Sequence, residues 1–185
     1  MTYVARALCL CALLLAACET PQHGQDVAPW PDSGAGPTPY TSAQIRAAHP
    51  SGTTVRWQMK QAGERAPDQV MEFVECGPNS ALVRQWGERD GEVVGGVVEA
   101  RSTWDELRDH ARFDAEMTTR EAATVTVAGG TFSCWLYSVR EVARPGVVQR
   151  FFFAHERPGP PVLYVLTSDG EEQLRMELLD YRRGG

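Results

Sequence analysis

An apolar run at the N-terminus constrains what the rest of this chain can be. Arg6 is the only charged side chain before Glu19, and every residue from Ala7 to Cys18 is apolar. A short positive start, an apolar core and small residues before a cut are the pattern of a secretory signal peptide. The run is too short to span a bilayer, which takes about 20 residues. We therefore predict that the chain is exported and that residues 1–17 are removed as a signal peptide.

The end of this run, Leu15-Ala16-Ala17-Cys18, resembles the lipobox of bacterial lipoproteins. In that family the cysteine becomes the first residue of the mature chain and is acylated, so the resemblance implies palmitate-type lipid on Cys18. One acyl chain binds a membrane only marginally, whereas two or three hold a domain there. We expect a lipid-anchored protein of the bacterial cell envelope, in the outer membrane, although Glu19 leaves the sorting between membranes open. The alternative is an ordinary signal peptide with an incidental cysteine.

The charge of the chain argues against nucleic acid as a partner. The net charge at pH 7 is −6, and losing residues 1–17 removes one arginine and no acid, which makes it −7. Nucleic-acid binding relies on clustered Lys and Arg, whereas the basic residues here are scattered. The expected partners are the membrane, through lipid on Cys18, and an apolar ligand or another envelope protein.

The five cysteines leave one pair in the mature domain. Cys9 and Cys11 depart with the signal peptide and Cys18 is lipidated, so Cys76 and Cys134 remain. An even pair in an oxidising compartment predicts a disulfide, which would close a loop of about 58 residues and stabilise the fold by roughly 4 kcal/mol. Two buried free thiols are the alternative. Two cysteines lack the further ligands of a zinc site, and neither a metal nor a cofactor is predicted.

Residues 18–40 are predicted to be the lipidated cysteine and a tether. They are rich in Pro and Gly and poor in apolar residues, and such a composition cannot bury enough surface to fold. Trp30 and Tyr40 could dock on the domain, but we expect a solvated linker. Residues 41–185 are then one globular domain, long enough to bury a core.

Two short helices are predicted within this domain, over Thr41–His49 and over about Trp104–Arg112. Each begins with a capping box, in which a Thr side chain and a Gln or Glu three residues later satisfy the first backbone N–H groups: Thr41 with Gln44, and Thr103 with Glu106.

The rest of the domain reads as β-strands separated by Gly, Pro and Asp. The predicted strands are Val55–Lys60, Val70–Cys76, Ala81–Trp86, Val93–Ala100, Ala122–Ala128, Thr131–Val142, Val147–Ala154, Val162–Thr167 and Leu174–Tyr181. The first four form an antiparallel meander with turns over Gly63–Asp68 and Gly87–Gly91, and Gly129-Gly130 marks a two-residue hairpin. Leu174–Tyr181 fits helical spacing equally well. The late strands are apolar on both faces, so we expect both faces to be covered, with the helices as the covering.

The stretch Gly130-Thr131-Phe132-Ser133-Cys134 resembles the Gly-Thr-Phe-x-Cys hairpin of certain exported bacterial β proteins of unknown function. That group is similar in outline to the bacterial lipoprotein-carrier fold, whose curved antiparallel sheet wraps helices and can hold acyl chains. The resemblance implies an α+β fold, a half barrel in which a curved antiparallel sheet packs on two short helices. The chain lacks a recognisable carrier signature, so the resemblance does not imply lipid transport.

Few residues indicate chemistry. Glu106 and His110 would share a helix face and could bind a cation, although a solvated helix face is the simpler interpretation. Gly95-Gly96 indicates a β-bulge. Motifs of nucleophilic, metal-dependent or phosphate-binding sites are not found, so the protein is not expected to be an enzyme. Four aromatic residues are candidates for lining an apolar pocket, with simple core packing as the alternative: Trp57, Trp135, Tyr137 and Phe152.

The function predicted from these features is that of a non-catalytic envelope lipoprotein that binds an apolar ligand or a partner protein on a curved sheet. The alternative is a structural or assembly lipoprotein that acts by surface contacts only.

Overall fold

The structure is a computed structural model that describes residues 36–185. The predicted signal peptide, Cys18 and most of the predicted tether, including Trp30, lie outside the described residues. In chain order the elements are α1 (Ser42–Ala48), β1 (Thr53–Gln61), β2 (Glu64–Cys76), β3 (Ser80–Arg89), β4 (Glu92–Thr103), α2 (Trp104–Asp109), β5 (Thr118–Val127), β6 (Gly130–Arg140), β7 (Val147–Ala154), β8 (Leu163–Ser168) and β9 (Glu171–Arg182).

All nine strands belong to one sheet, in the order β4-β3-β2-β1-β9-β8-β7-β6-β5. Every neighbouring pair is antiparallel. The four-strand meander predicted for β1 to β4 is confirmed. The C-terminal strand β9 inserts between β1 and β8 and so joins the two halves of the chain. The sheet is not closed, because β4 and β5 each have a strand on one side only within the described residues.

The predicted α+β class is wrong, and the protein is mostly β. Its helices have only 7 and 6 residues, whereas the single sheet takes up most of the described chain. Six of the nine strands, β1 to β5 and β9, are longer than the sequence pattern indicated, because the turns between them are shorter. In place of the turns predicted over Gly63–Asp68 and Gly87–Gly91, two residues connect each pair of strands, Ala62-Gly63 and Asp90-Gly91.

These short turns have backbone angles suited to tight hairpins. Both residues of each turn have positive φ, 48° and 81° at Ala62-Gly63 and 53° and 85° at Asp90-Gly91. Two successive residues with positive φ are typical of the type I′ turn, whose twist matches that of the flanking strands. The polar residues that were predicted to lie in loops therefore belong to the strands and extend their antiparallel pairing.

The segment Leu174–Tyr181, which sequence spacing left open between helix and strand, lies within β9. Antiparallel partners flank it on both sides: Leu178 lies opposite Trp57 of β1, and Met176 lies opposite Tyr164 of β8. Pairing with two strands satisfies the backbone hydrogen-bonding groups of β9 on both edges. This tertiary context selects the strand for a sequence whose spacing fits a helix and a strand equally well.

The sheet curls back on itself at the β5–β6 hairpin. The turn residues are Ala128 and Gly129, one position before the predicted pair. The Gly129 N–H donates to the carbonyl of Leu178 at 2.8 Å, although three strands separate β5 from β9 in the sheet. A Cβ at Gly129 would lie 3.0 Å from Leu178 Cγ, so only glycine allows this close approach. A contact between strands this far apart in the sheet requires the sheet to curl.

Both predicted capping boxes are present. The Gln44 N–H donates to Thr41 Oγ1 at 3.2 Å while the Thr41 N–H donates to the Gln44 side chain at 2.8 Å. Thr103 and Glu106 make the same reciprocal pair at the start of α2. Each helix buries one large side chain, Ile45 in α1 and Trp104 in α2. The helices are therefore small additions to the sheet.

Buried side chains form two clusters. The first cluster contains Val55, Trp57, Val127, Phe132, Cys134, Ala154, Val162, Leu163, Val165 and Leu178. The second cluster contains Tyr40, Ile45, Phe73, Ala81, Val83, Trp104, Tyr137 and Phe153. Phe152 packs against the first cluster and Phe153 belongs to the second, so β7 is covered on both faces as predicted. The helices cover one face, and the curled sheet itself covers the other.

The packed domain begins before residue 41. The Gly36 N–H donates to the carbonyl of Phe113 at 2.8 Å, and the Tyr137 hydroxyl donates to the carbonyl of Pro37 at 3.0 Å. Tyr40 is 6% exposed, and its hydroxyl donates to the carbonyl of Ala154 at 2.5 Å. The last residues of the predicted tether are therefore part of the core. Within residues 36–185, no helix is long and apolar enough to cross a membrane.

Candidate functional site

The four aromatic residues predicted to line a pocket are divided between the two core clusters. Trp57 belongs to the first cluster and Phe152 packs against it, while Tyr137 belongs to the second cluster and Trp135 packs against that one. Trp57 is 2% exposed, and its indole N–H donates to the carbonyl of Pro161 at 2.9 Å. The structure therefore does not bring these four side chains together around one cavity.

Trp135 and Tyr137 contact other side chains closely. The guanidinium of Arg120 lies 4.7 Å from the centre of the Trp135 ring, and the His155 ring packs on Trp135 at 4.9 Å between centroids. Tyr137 meets Phe153 edge to face at 5.5 Å, and burial raises the pKa of its hydroxyl. Tyr137 is therefore packed in the core, whereas Trp135 is partly buried and lies against two polar side chains.

A small cavity of about 10 Å³ lies beside the first cluster, between His49 and the β7–β8 connection. That volume is about enough for one water molecule. A larger groove of about 370 Å³ is open to solvent between the starts of the two helices, with Arg46, Asn79 and Asp105 among its lining residues. Its lining is more polar than that of a typical site for an apolar ligand.

His49 is fully buried at the first of these cavities. Its Nδ1 lies 2.9 Å from the Ile45 carbonyl, so Nδ1 carries the proton and donates to this oxygen. Within the described residues Nε2 has no hydrogen-bond partner. Burial lowers the pKa of His49 to about 4. The sequence pattern places His49 at a helix end. It does not predict the burial of His49, because that burial depends on residues far along the chain.

The β7–β8 connection covers His49 as a short strap, residues 155–162. The guanidinium of Arg157 lies 4.6 Å from the centre of the Tyr181 ring and 5.0 Å from that of Phe132. Such cation–aromatic contacts stabilise by about 0.5–2 kcal/mol. They hold the strap against β6 and β9. These contacts fix the position of α1 on the sheet, and we assign the strap a structural role.

Cys76 and Cys134 are free thiols in the structure, so the predicted disulfide is not present. They lie on β2 and β6, with four strands between them in the sheet. Cys134 is fully buried, and burial raises its pKa to about 11. Burial also raises the pKa of Cys76. Because the thiolate is the reactive form, neither cysteine is activated as a nucleophile.

The carboxylate of Glu106 is engaged in the cap of α2. One carboxylate oxygen of Glu106 accepts hydrogen bonds from the backbone N–H and the hydroxyl of Thr103, at 2.7 and 3.0 Å. The neighbouring acids Asp105 and Asp109 form ion pairs with Arg108. Within residues 36–185 no group of three or more His, Cys, Asp or Glu side chains is placed to hold a metal ion.

The most unusual surface of the described chain is the outer edge of β4. Val93, Val97 and Val98 are 50%, 49% and 47% exposed, and they make up three of the four large hydrophobic residues exposed in residues 36–185. No strand of the described chain pairs with the outer side of β4. A strand without a neighbour presents a row of unpaired N–H and C=O groups, which is a template for pairing with another chain.

The middle of β4 contains the bulge predicted at Gly95-Gly96. The register with β3 shifts between the pairs Gln85–Val98 and Gly87–Val94, and Gly95 has a φ of 80°. No local sequence signal identifies this edge. From Val93 to Val98 the apolar residues do not alternate with polar ones, a pattern that is more typical of a strand buried on both faces.

The charges around this edge are balanced within the chain. Glu99 accepts from Arg84 at 2.6 Å, and Arg101 pairs with Glu75 at 2.8 Å. On the adjoining hairpin Arg89 lies opposite Glu92. The edge is therefore apolar at its centre and close to neutral at its ends, in a chain whose net charge is −6.

The protein has the class of fold that consists of one open antiparallel sheet and two short helices. Solved structures share this fold. The crystal structure of MucB matches with a TM-score of 0.51 and 13% identity over 77% of this chain. The complex of MucA and MucB from Pseudomonas aeruginosa matches with the same TM-score and identity. This chain spans a little over half of MucB, 57% of its length. At this level of identity the likeness establishes the fold.

A protein from Bacteroides fragilis that is described as exported and as having a YmcC-like fold also matches. Its TM-score is 0.47 and its identity 10%, over 73% of this chain and 97% of that protein. No protein-family model matches this chain, and no curated protein matches it.

Proposed function

We propose that this chain is a non-catalytic, lipid-anchored protein of the bacterial cell envelope, which binds a partner protein along the outer edge of β4. The single observation that carries the proposal is the open edge itself, with Val93, Val97 and Val98 each about half exposed. Monomeric proteins usually protect such edges, and an exposed apolar edge marks an interaction site.

Strand addition is the binding mode that suits this surface. An extended segment of a partner would extend the sheet, with main-chain hydrogen bonds supplying affinity and apolar side chains packing on the exposed valines. A solved complex of MucA and MucB shows that one protein with this fold binds another protein. That likeness supports a protein partner and leaves the contacting residues of this chain to be tested.

An apolar ligand is the weaker candidate. The aromatic side chains that would line its pocket are divided between two core clusters. The cavity beside the first cluster has a volume of about 10 Å³, whereas pockets for small ligands have volumes of about 300–1,000 Å³. The groove of about 370 Å³ is large enough, but it is open to solvent and polar residues such as Arg46 and Asp105 line it. A partner protein on the edge needs no such cavity.

The proposal can be tested by photo-crosslinking in cells that make the full chain. Benzoylphenylalanine would replace Val97 in one variant and Val142 in another, because Val142 is the same residue type and is 76% exposed in a loop. We expect crosslinks to a protein of the cell envelope from position 97 and none above background from position 142. Equal crosslinking at the two positions, or none at position 97, would reject the edge as a binding surface.

A further inference from the structure

We propose that the strap opens in acid, when the buried ring of His49 gains a proton. The strap, residues 155–162, covers His49 and has a structural role while that ring is neutral. This opening is separate from the proposed function, because the strap and the β4 edge are different surfaces. It brings the ring and the apolar side chains beneath the strap into contact with water.

The closed strap cannot accommodate a positive charge on His49. The ring is fully buried, and its Nδ1 already donates to the Ile45 carbonyl at 2.9 Å. A second proton would bind to Nε2, which has no hydrogen-bond partner within the described residues. The cavity that the ring lines has a volume of about 10 Å³, enough for one water molecule but not for a counter-ion and its hydration. A buried charge without a partner is strongly unfavourable.

The cavity beside His49 is lined by cationic and apolar residues. β1 and β2 contribute the apolar side chains of Val55 and Phe73. The ionisable groups that face His49 from α1, the strap and the C-terminal part of the chain are cations and a phenol: Arg46, Arg157, Tyr181 and Arg183. In the described part of the chain no acid lines this cavity. The other ionisable residues of the strap, His155 and Glu156, are exposed.

Arg157 couples the charge of His49 to the strap. Both residues line the same cavity, and both pack on the ring of Tyr181. The guanidinium carbon lies 4.6 Å and the centre of the imidazole 5.9 Å from the centre of that ring. Two like charges in a poorly hydrated site repel each other. A proton on His49 therefore destabilises a contact that holds the strap.

The strap is held by few contacts compared with the strands beside it. Pro158, Pro160 and Pro161 have no N–H group to donate. The Trp57 indole N–H donates to the Pro161 carbonyl at 2.9 Å, and the guanidinium of Arg157 packs on two aromatic rings. The flanking strands β7 and β8 are instead joined by a continuous antiparallel ladder. Segments with few hydrogen bonds open locally while the rest of a domain stays folded.

Acid favours the open strap through this ring. The pKa of His49 is about 4 beneath the closed strap, because burial disfavours the charged ring, and the ordinary value is 6.5. Between these values the ring binds a proton only when the strap is open. The ratio of open to closed strap is therefore expected to rise about twentyfold from pH 7 to pH 5. The open strap uncovers apolar residues that line the cavity, Val55 and Leu178, and exposed apolar surface marks binding sites.

A thiol beneath the strap tests this opening in the full lipidated chain. Val55→Cys places the thiol on β1 under the strap, and Val83→Cys is the matched control, at a buried valine of β3 in the second cluster. Both variants also carry Cys76→Ser, which removes the partly exposed native thiol. Dithiodipyridine labels thiols in acid as well as at neutral pH, and peptide mapping follows each position. Each rate is divided by that of the same variant unfolded in urea at the same pH, which removes the pH dependence of the reagent.

We expect the relative labelling rate at position 55 to rise about twentyfold from pH 7 to pH 5. At pH 5 it should exceed the rate at position 83 by at least about tenfold, because local opening reaches only position 55. Adding His49→Asn, or His49→Gln if the first variant does not fold, should make the rate at position 55 the same at both pH values. Adding His155→Asn, which changes the other histidine of the strap, should retain the rise. Thermal unfolding confirms that the variants are folded.

Three kinds of result would overturn the proposed opening. Equal relative rates at positions 55 and 83 would show that the whole domain unfolds rather than the strap alone. A rate at position 55 that is the same at pH 7 and pH 5 would show that acid does not open the strap. A rise that persists with His49→Asn, or that is lost with His155→Asn, would assign the pH dependence to another group. None of these results bears on the β4 edge, which crosslinking at position 97 tests.

Discussion

Gly159 packs directly against the imidazole ring of His49, at a point where a Cβ on residue 159 would lie 2.8 Å from His49 Nε2. Gly159 has a φ of 142°, a conformation that is essentially restricted to glycine. These two residues are far apart in the sequence, and each limits what can occupy the other position. The strap packs over α1 because residue 159 has no side chain.

Gly159→Ala should destabilise the protein through this contact. The added methyl group must displace the His49 ring, and overpacking of this kind costs about 1–3 kcal/mol in addition to backbone strain. Gly170→Ala is the control, because Gly170 also has a positive φ but a Cβ there meets nothing within 4 Å. Urea unfolding would measure both variants. In a His49→Ala background the cost of Gly159→Ala should fall by at least about 1 kcal/mol, and an unchanged cost would show that the ring is not the obstacle.

His49 should make the protein less stable as the pH falls below 6.5. Its pKa is 6.5 when unperturbed and about 4 in the folded protein, because burial disfavours the charged ring. Arg157 lines the same cavity and is itself a cation. Between these two pH values the unfolded chain binds a proton that the folded chain does not bind. The contribution of neutral His49 to the free energy of unfolding is therefore complete above pH 6.5 and is lost as the pH falls to about 4. The loss amounts to about 3 kcal/mol.

His49→Asn isolates this effect from the carboxylates that titrate in the same range. An Asn amide keeps a donor for the Ile45 carbonyl but does not titrate. The free energy of unfolding of the wild type and this variant, measured from pH 7 to pH 4, should converge as the pH falls. A constant difference across the range would mean that His49 has the same pKa in the folded and the unfolded protein.

The two cysteines of the domain should differ in reactivity towards a maleimide. Cys76 is partly exposed and Cys134 is fully buried, so native protein should be labelled at Cys76 only, and slowly because burial raises its pKa. After unfolding without a reductant both should be labelled. Peptide mapping by mass spectrometry would assign the labels. A Cys76–Cys134 disulfide in protein from the envelope would leave both peptides unlabelled and joined, which would contradict the thiols of the structure.

Cys18→Ala should release the protein from the membrane. Acyl chains on Cys18 are the anchor that the lipobox-like sequence implies, and each buried methylene contributes about 0.8 kcal/mol to membrane binding. Cell fractionation and immunoblotting should find the variant in the soluble fraction and the wild type with the membranes. Cys76→Ala is a control that should not change the fractionation. If the Cys18→Ala variant stays on the membrane, another part of the chain is the anchor.

Sequence periodicity predicted most of the local structure. Both capping boxes were visible because a helix start is determined by residues three positions apart, Thr41 with Gln44 and Thr103 with Glu106. The strands were visible from alternation, and the bulge at Gly95-Gly96 from two glycines inside a strand pattern. Turn lengths were overestimated, because Glu64–Asp68 is polar and polar residues occur in exposed strands as well as in loops.

The candidate site was harder to predict from the sequence. The aromatic residues Trp57 and Tyr137 are equally consistent with a pocket and with a core, and only their assignment to different clusters separates these alternatives. The valines of β4 became a candidate surface once β4 was seen to be an edge strand. The order of strands in a sheet depends on contacts between distant segments, which no local pattern specifies.

The sequence by itself determined the short-range features of this protein: its cysteine pattern, its charge, its helix starts and the alternation of its strands. These features depend on residues within a few positions of one another. Tertiary structure alone decided that Leu174–Tyr181 is a strand between β1 and β8, that Tyr40 and His49 are buried, and that β4 has an open edge. Each of these depends on which distant segments pack together, because burial and strand pairing are properties of the assembled chain.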